Sequence, residues 1–358
     1  MRWMKYALML VLCLLLAILP ALGTEGYPKT IIDSANRTVL IDEPAEKIVP
    51  MVSWSYEPVY ILGAGDKIIG VTVDSKNEYP WLGSPNVTTK ESVGTYRELD
   101  YEKVISLKPD VVIVGASKAS EIGDKLAPSG IKVIGLQFAD MDMFPGELRT
   151  LAEVLGEDEM KKAEEFLAWR QNKIDQLKAE TDTISPEEKV RVYGEANPKP
   201  WLTACNGTGL NGLISLAGGM NIAEAIPADR HLASHYAYVD AEWVLKENPQ
   251  VFILAETASP TTTGYQTEKT DKMDDLVANL SSREGLNQMD AVKNSRVYLL
   301  KGLCVEVAAH SFVGAYYVAK WLYPEQFRDL DPEVLHKEYF EKWLGVPYKG
   351  IWAYPHAT

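Results

Sequence analysis

Hydrophobic positions follow two alternating rhythms along this chain. Short runs rich in β-branched residues occur at 38–41 (TVLI), 48–52, 68–73 (IIGVTV), 111–115 (VVIVG) and 131–137 (IKVIGLQ). Between them lie stretches with apolar residues at helical spacing: SWSYEPVYILGAG, a segment over 100–107, and KASEIGDKLAPSG. An unbroken β-branched run suits a strand covered on both faces, so this part reads as a βαβαβ lobe with a parallel sheet. From Phe144 to Glu180 helix formers take over, with Leu148, Leu151, Ala152 and Leu155, then Ala163, Phe166, Leu167, Ile174 and Leu177, on helical spacing. Gly156 divides this stretch, and nothing in it resembles a flexible Gly/Ser linker. After Pro186 the βαβ rhythm resumes with VRVYGEA (190–196), a helix over 211–217, a Gly-Gly turn, a helix over 240–246, VFILAE (251–256), RVYLL (296–300) and a closing helix, HSFVGAYYVAKWLY. The pattern predicts two α/β lobes of about equal size, over 24–144 and 186–325, joined by a helical connector over 145–185. Ligand sites in open α/β sheets lie at the carboxyl ends of strands, which directs attention to the loops after residues 52, 73, 93, 196, 256 and 300.

The first 23 residues have the three-part layout of a secretory signal: Arg2 and Lys5, an apolar run from Ala7 to Leu19, and small residues at Ala21 and Gly23. An uncleaved anchor is the competing reading, although the run is short against the roughly 20 apolar residues that span a bilayer. Either way the expected location is the periplasm or the outer face of the cytoplasmic membrane. Cys13 lies inside the apolar run and not at the cleavage point, so lipid attachment is not expected. Cleavage removes two basic residues and no acid, leaving 34 basic against 50 acidic side chains, a formal charge of −16. That balance excludes nucleic acid as a natural partner and favours a self-repelling, monomeric protein. Beyond the leader only Cys205 and Cys304 remain, enough for one disulfide in an oxidising compartment, with two free buried thiols as the alternative. N-x-S/T triplets at Asn36, Asn86, Asn206 and Asn279 carry little weight in a chain of this length.

No G-x-S-x-G, H-E-x-x-H, P-loop or C-x-x-C motif is present, and the expectation is a protein that is not an enzyme. The strand-end loops are instead aromatic and cationic: Trp54 and Tyr56, Tyr79 and Trp81, Tyr96 and Arg97, Trp201, and a crowded loop with Arg230, His231, His235, Tyr236 and Tyr238. Aromatic rings offer flat, rigid contact area, and arginine pairs bidentately with carboxylate or catecholate oxygens. Trp54, Tyr56, Trp81, Tyr96, Arg97, Trp201, Arg230, His231, His235 and Tyr236 are therefore the candidate ligand contacts, each with packing as its competing role. His231 and His235 are four apart and would share one face of a helix, able to ligate one metal; in a loop they would bond main chain.

IIDSANRTVLIDEPAEKIVPM with EPVYILGAGDKIIGVT, then VGTYRELDYEKVISLKPDVVIVG and LAPSGIKVIGL, form one set of segments; GLNGLISLAGGMNIAE, YVDAEWVLKENPQVFIL, VYLLKG and AYYVAKWLYPEQF form a second. In this order they resemble the periplasmic binding proteins for ferric siderophores, haem and cobalamin. The resemblance implies two Rossmann-like lobes joined by a single long helix, a ligand cleft between them, small hinge motion, and no cofactor of the protein's own. It implies an iron or cobalt complex as ligand, with ferric siderophore first, cobalamin or another corrinoid second and haem third. It also implies an ABC permease dimer with its ATPase as partner, met by Glu102 and Glu242 pairing with arginines on the two membrane subunits. The plain role for both acids is to complement helix N-terminal dipoles, and both roles can hold together. Arg97 and Arg230 would focus positive potential for an anionic chelate. The Cys205 and Cys304 loops and the R-H-x3-H loop depart from the family pattern, and an extension over 326–358, with HKEYFEKWLGVPYKGIWAYP, runs past the usual last helix and is expected to pack on a lobe. Two readings from other classes stand beside this one. One is a secreted metal-dependent hydrolase using His231, His235 and Asp229 or Asp240; the other is a surface adhesion or sensor domain.

Overall fold

The computed structural model describes residues 26–83, 87–196, 199–232, 235–258 and 260–355, so the leader and Asn86 lie outside the described residues. A hairpin of β1 (Lys29–Ile32) and β2 (Thr38–Ile41) opens the first lobe. Its turn is held by Asp33, whose buried carboxylate accepts from the backbone N–H of Ala35, Arg37 and Gly135 and from the Arg37 guanidinium. The lobe's main sheet is parallel, in the order β3 (Ile48–Pro50), β6 (Val111–Val114), β7 (Lys132–Gly135), with β4 (Gly70–Val71) and β5 (Glu91–Ser92) as a flanking parallel pair. The unbroken VVIV of β6 is covered on both faces: Val111 and Ile113 enter one core and Val112 and Val114 the other. Helices α1 (Tyr56–Ile61), α2 (Val73–Glu78), α3 (Tyr101–Leu107) and α4 (Ala119–Leu126) complete this lobe. The strand expected over 68–73 is cut to two residues, because the Thr72 hydroxyl accepts from Ser75 N–H and caps α2 at that point.

Gly156, at φ 144°, separates α5 (Phe144–Leu155) from α6 (Glu157–Thr181). At 25 residues, α6 spans about 37 Å. It is fastened to both lobes. Phe166 meets Phe144 edge-on, and the buried Arg170 guanidinium lies 5.2 Å from the Phe144 ring and 5.8 Å from that of Phe312.

The second lobe has the strand order β11 (Tyr236–Tyr238), β9 (Leu202–Ala204), β8 (Arg191–Ala196), β12 (Val251–Glu256), β13 (Val297–Lys301), β14 (Ala353–Tyr354), with β10 (Met220–Asn221) also on β8. β8, β12 and β13 run parallel; β9, β11 and β14 are antiparallel additions. Helices α7 (Gly209–Leu216), α8 (Ala241–Glu247), α9 (Asp271–Ser281), α10 (Asp290–Lys293), α11 (Leu303–Glu306) and α12 (Ala308–Leu322) pack around this sheet. Every residue of α12 is buried, as its apolar character on all sides requires. The protein is thus an α/β fold of two Rossmann-like lobes joined by a single long helix.

The C-terminal extension touches more than one lobe. Its helix α13 (Pro332–Glu338) and a π-type turn over Tyr339–Leu344 bury His336, Tyr339 and Phe340. Tyr339 Oη donates to Glu57 in α1 at 2.5 Å, and Trp169 of α6 donates to Glu338 at 2.7 Å. Chain-terminal β14 then closes the edge of β13. Of the two alternatives for Cys205 and Cys304, a disulfide or two free buried thiols, the structure has the second. Both thiols are free and buried, because Cys205 packs with Ala223, Ile226 and Ala237 while Cys304 belongs to the main core beside His310.

Candidate functional site

Two helices repeat the same design, one in each lobe, at an offset of 140 positions. Asp100 caps α3 by accepting from Lys103 N–H, and Asp240 caps α8 by accepting from Trp243 N–H. Glu102 and Glu242 follow at equivalent, exposed positions. Each helix ends on a left-handed residue, Lys108 at φ 52° and Asn248 at φ 41°, before a buried proline leads into β6 or β12.

Between the lobes lie two adjoining cavities. One of 240 Å³ is bounded by Glu78, Trp81, Thr263, Tyr265, Lys301 and Trp352; the other, of 190 Å³, by Ser53, Trp54, Glu78, Glu256, Lys301 and Glu306. The loops after β3, β4, β12 and β13 therefore meet, as the strand-end rule requires. Trp81 stacks on Tyr265 from the opposite lobe, with centroids 4.7 Å apart and planes 13° from parallel, and Trp352 closes that aromatic wall edge-on. Carboxylates outnumber ammonium groups here. Lys301 spans the gap to Glu78 at 3.9 Å. Burial, reinforced by Glu78 and opposed by Lys301, pushes the Glu306 carboxyl up to about 7. Glu256 is held by the backbone N–H groups and hydroxyls of Thr262 and Thr263. A third, wider cavity of 650 Å³ lies between the 139–142 loop, α6 and the start of α7, with Asp140, Arg170, Lys178 and Asn206 on its walls.

A family model for periplasmic binding proteins matches residues 51–302, spanning these loops from both lobes. The chain belongs to the periplasmic binding protein family. Proteins of this class bind solutes, and those of ABC importers work with a permease and an ATPase. This binding protein is 29% identical over 313 residues to an uncharacterized ABC transporter substrate-binding lipoprotein, YvrC, of Bacillus subtilis, across 86% of this chain and 89% of that one. It is 24% identical to the molybdate-binding protein MolA of Haemophilus influenzae, across 97% and 98% of the two chains. In fold it is similar to the solved TroA-like periplasmic binding protein FepB from Veillonella parvula, with a TM-score of 0.76 at 23% identity, over 92% of this chain and 100% of that one. Among the described residues no helix is long and apolar enough to cross a membrane.

Of the candidate contacts, Trp54 and Trp81 line the cleft of this binding protein. Tyr56 does not: it is a core residue, its ring stacked on Tyr79 and its hydroxyl donating to Pro50 O. The Tyr96 hydroxyl reaches the carboxyl end of β6 beside Gly115, while Arg97 and Arg230 are exposed and line neither interlobe cavity. Trp201, at φ 65°, lies beneath the Arg283 guanidinium, and Tyr236 sits half-buried in β11 with its hydroxyl pushed up by burial. His231 and His235 occupy a loop and not a helix, so their rings stay 6.4 Å apart and His231 Nε2 meets Ile226 O at 2.9 Å. Asp240 is spent as a helix cap and Asp229 is exposed, which leaves the hydrolase reading without a converged ligand set. The cleft residues that sequence reasoning misses are Glu78, Tyr265, Lys301, Glu306 and Trp352. The loops holding Glu256, Lys301 and Glu306 are marked by strand ends, but a search for aromatic and arginine content passes over acids.

Proposed function

We propose that the protein is the extracytoplasmic substrate-binding component of an ABC importer for an iron complex of low negative charge, held in the interlobe cleft. The observation that carries this reading is the make-up of the cleft: stacked Trp81 and Tyr265 beside Glu78, Glu256 and Glu306, with Lys301 the sole cation among the described residues on the walls of these two cavities. Such walls suit a neutral or cationic ferric chelate and oppose a trianionic catecholate. Recognition of catecholate by Arg97 and Arg230 loses its support, since both lie outside these cavities. Drug-sized ligands fill about 300–1,000 Å³, so the loops carrying Trp81 and Tyr265 must part on loading. Exposed Glu102 and Glu242, on matched helices, would meet the two permease subunits. A second reading, a small oxyanion, draws on the likeness to MolA along nearly the whole chain, C-terminal extension included.

Tryptophan-fluorescence titration decides between them, with a cationic or neutral ferric tris-hydroxamate, a ferric tris-catecholate, cobalamin, haemin and molybdate as probes. Saturable quenching at sub-micromolar tris-hydroxamate, weakened at least tenfold by Trp81→Ala, is expected. Tighter binding of molybdate or of the catecholate would overturn the reading. The paired substitution Glu102→Ala and Glu242→Ala should leave ligand affinity unchanged and abolish uptake in cells. It should cost only about 0.3–1 kcal/mol of stability per helix terminus. Normal uptake by that variant refutes the docking role.

A further inference from the structure

Behind the aromatic wall of the cleft, three buried side chains with metal-binding chemistry converge. Cys304 lies in α11, His310 in α12 and His336 in α13; all three are buried, and one donor atom from each lies within 4.8 Å of the others. His310 Nε2 stands 3.6 Å from Cys304 Sγ and 2.6 Å from His336 Nε2. The opposite ring nitrogens are also engaged: His310 Nδ1 is 3.2 Å from Glu57 Oε1, and His336 Nδ1 is 3.1 Å from Tyr317 Oη. Trp352, Phe340 and Tyr339 enclose the group, their rings 5.5, 5.8 and 4.7 Å from that of His310.

Hydrogen bonding alone leaves one buried carboxylate without a counter-charge. With both rings neutral, His336 Nε2–H donates to His310 Nε2, His310 Nδ1–H donates to Glu57, and Tyr317 Oη–H donates to His336 Nδ1. Among the described residues the only ion-pair partner of the buried Glu57 carboxylate is His310. A divalent cation between the Nε2 atoms supplies that counter-charge. Each ring then presents a neutral Nε2 to the metal and donates its Nδ1–H outward, one to Glu57 and the other to the Tyr317 oxygen. That outer shell is the one that orients metal-bound histidines. The metal's two positive charges balance the Cys304 thiolate and the Glu57 carboxylate.

We propose that Cys304, His310 and His336 supply three of the four ligands of a buried zinc site, oriented by Glu57 and Tyr317. One thiolate with two imidazoles is a borderline-soft donor set, which suits zinc over calcium or magnesium. With bonds of about 2.3 Å to sulfur and 2.0–2.1 Å to nitrogen, a tetrahedral S–N edge is about 3.6 Å, the separation already present between Cys304 and His310; the two Nε2 atoms open to about 3.3 Å on loading. The site ties α11 and α12 of the second lobe to α13 of the C-terminal extension, with α1 of the first lobe reached through Glu57. It is separate from the cargo cleft and stands whatever solute that cleft carries.

The test uses purified full-length protein, assayed for zinc as isolated, stripped with a chelator, then titrated with Co2+, whose thiolate charge-transfer absorption reports a cysteine ligand. Expected are one equivalent of zinc as isolated, a charge-transfer band saturating at one equivalent of Co2+, and a melting temperature that falls on stripping and recovers with zinc. The band should vanish in Cys304→Ser and persist in Cys205→Ser. Glu57→Gln should weaken Co2+ affinity by about 10–100-fold. Folded wild-type protein that holds no zinc, gives no band and melts identically with and without chelator overturns the proposal without recourse to variants. A band that survives in folded Cys304→Ser also overturns it.

Discussion

Arg283→Ala probes how the second lobe supports the loop that carries Trp201. Glu195, in β8, is 1% exposed. Arg283 Nη1 donates to its two oxygens at 2.6 and 2.9 Å, and Tyr193 Oη and Trp201 N–H donate to Oε2 at 3.1 and 3.2 Å. Truncating the arginine strands a buried carboxylate with two neutral donors. Breaking a buried pair in this way costs about 3–5 kcal/mol. Arg283 keeps 23% of its side chain in water, so solvent entering the vacated space offsets part of that, and about 3 kcal/mol is expected. At an unfolding entropy of about 2.1 cal/mol/K per residue, a chain of about 335 residues shifts by about 1.4 °C per kcal/mol, so melting should fall by about 4 °C. Trp201 also loses the guanidinium 5.7 Å from its ring, so its emission should shift to the red. Urea denaturation of Arg283→Ala, Glu195→Gln and the double variant completes the cycle. The double variant should regain most of the stability, because a neutral amide needs no counter-charge. A loss under about 1 kcal/mol, or a double variant as weak as Arg283→Ala, would show that the desolvated charge does not dominate.

Two further perturbations address the first lobe. Burial acts to raise the Asp33 carboxyl, but Arg37 N–H, the Arg37 guanidinium and Gly135 N–H outweigh it and hold the group below the ordinary aspartate range. A lowered folded value means the stabilisation is present above about pH 4 and fades as pH falls through the folded value. Asp33→Asn should therefore cost about 2–3 kcal/mol at neutral pH, with the gap to wild type narrowing in urea titrations near pH 3; a gap independent of pH counts against the charge argument. Gly94 sits at φ 99°, and a Cβ there would lie 2.4 Å from Glu98 O. Gly94→Ala should lose more than about 2 kcal/mol, read by thermal melting, and near-wild-type stability would contradict the strain.

β6 shows what pattern reading reaches. Four consecutive β-branched residues with no polar break dictate a strand sandwiched on both faces, and it is the middle strand of its sheet. The matched helices α3 and α8 are legible for the same local reason, an Asp cap at one end and a proline two residues beyond the helix at the other. IIGVTV misleads because a threonine hydroxyl decides its last third. The cleft is less legible still: Trp54 and Tyr56 look alike in sequence, yet Tyr56 is swallowed by Tyr79 and the core, since depth depends on segments far along the chain. Glu57 and His310 are 253 positions apart, and no spacing rule connects them. His231 and His235, with the suggestive spacing, fail because their loop does not supply the helix that the spacing presumes.

The C-terminal extension also bears on mechanics. A two-lobed receptor with one connector opens like a book on its spine. Here a second strap crosses the gap, through Tyr339 on Glu57, Phe340 on Trp81 and Glu338 on the spine itself. Rotating the covers apart would shear all three contacts at once. Solute exchange then falls to the page edges, the loops around Trp81 and Tyr265, and the empty and loaded protein should scatter X-rays almost identically.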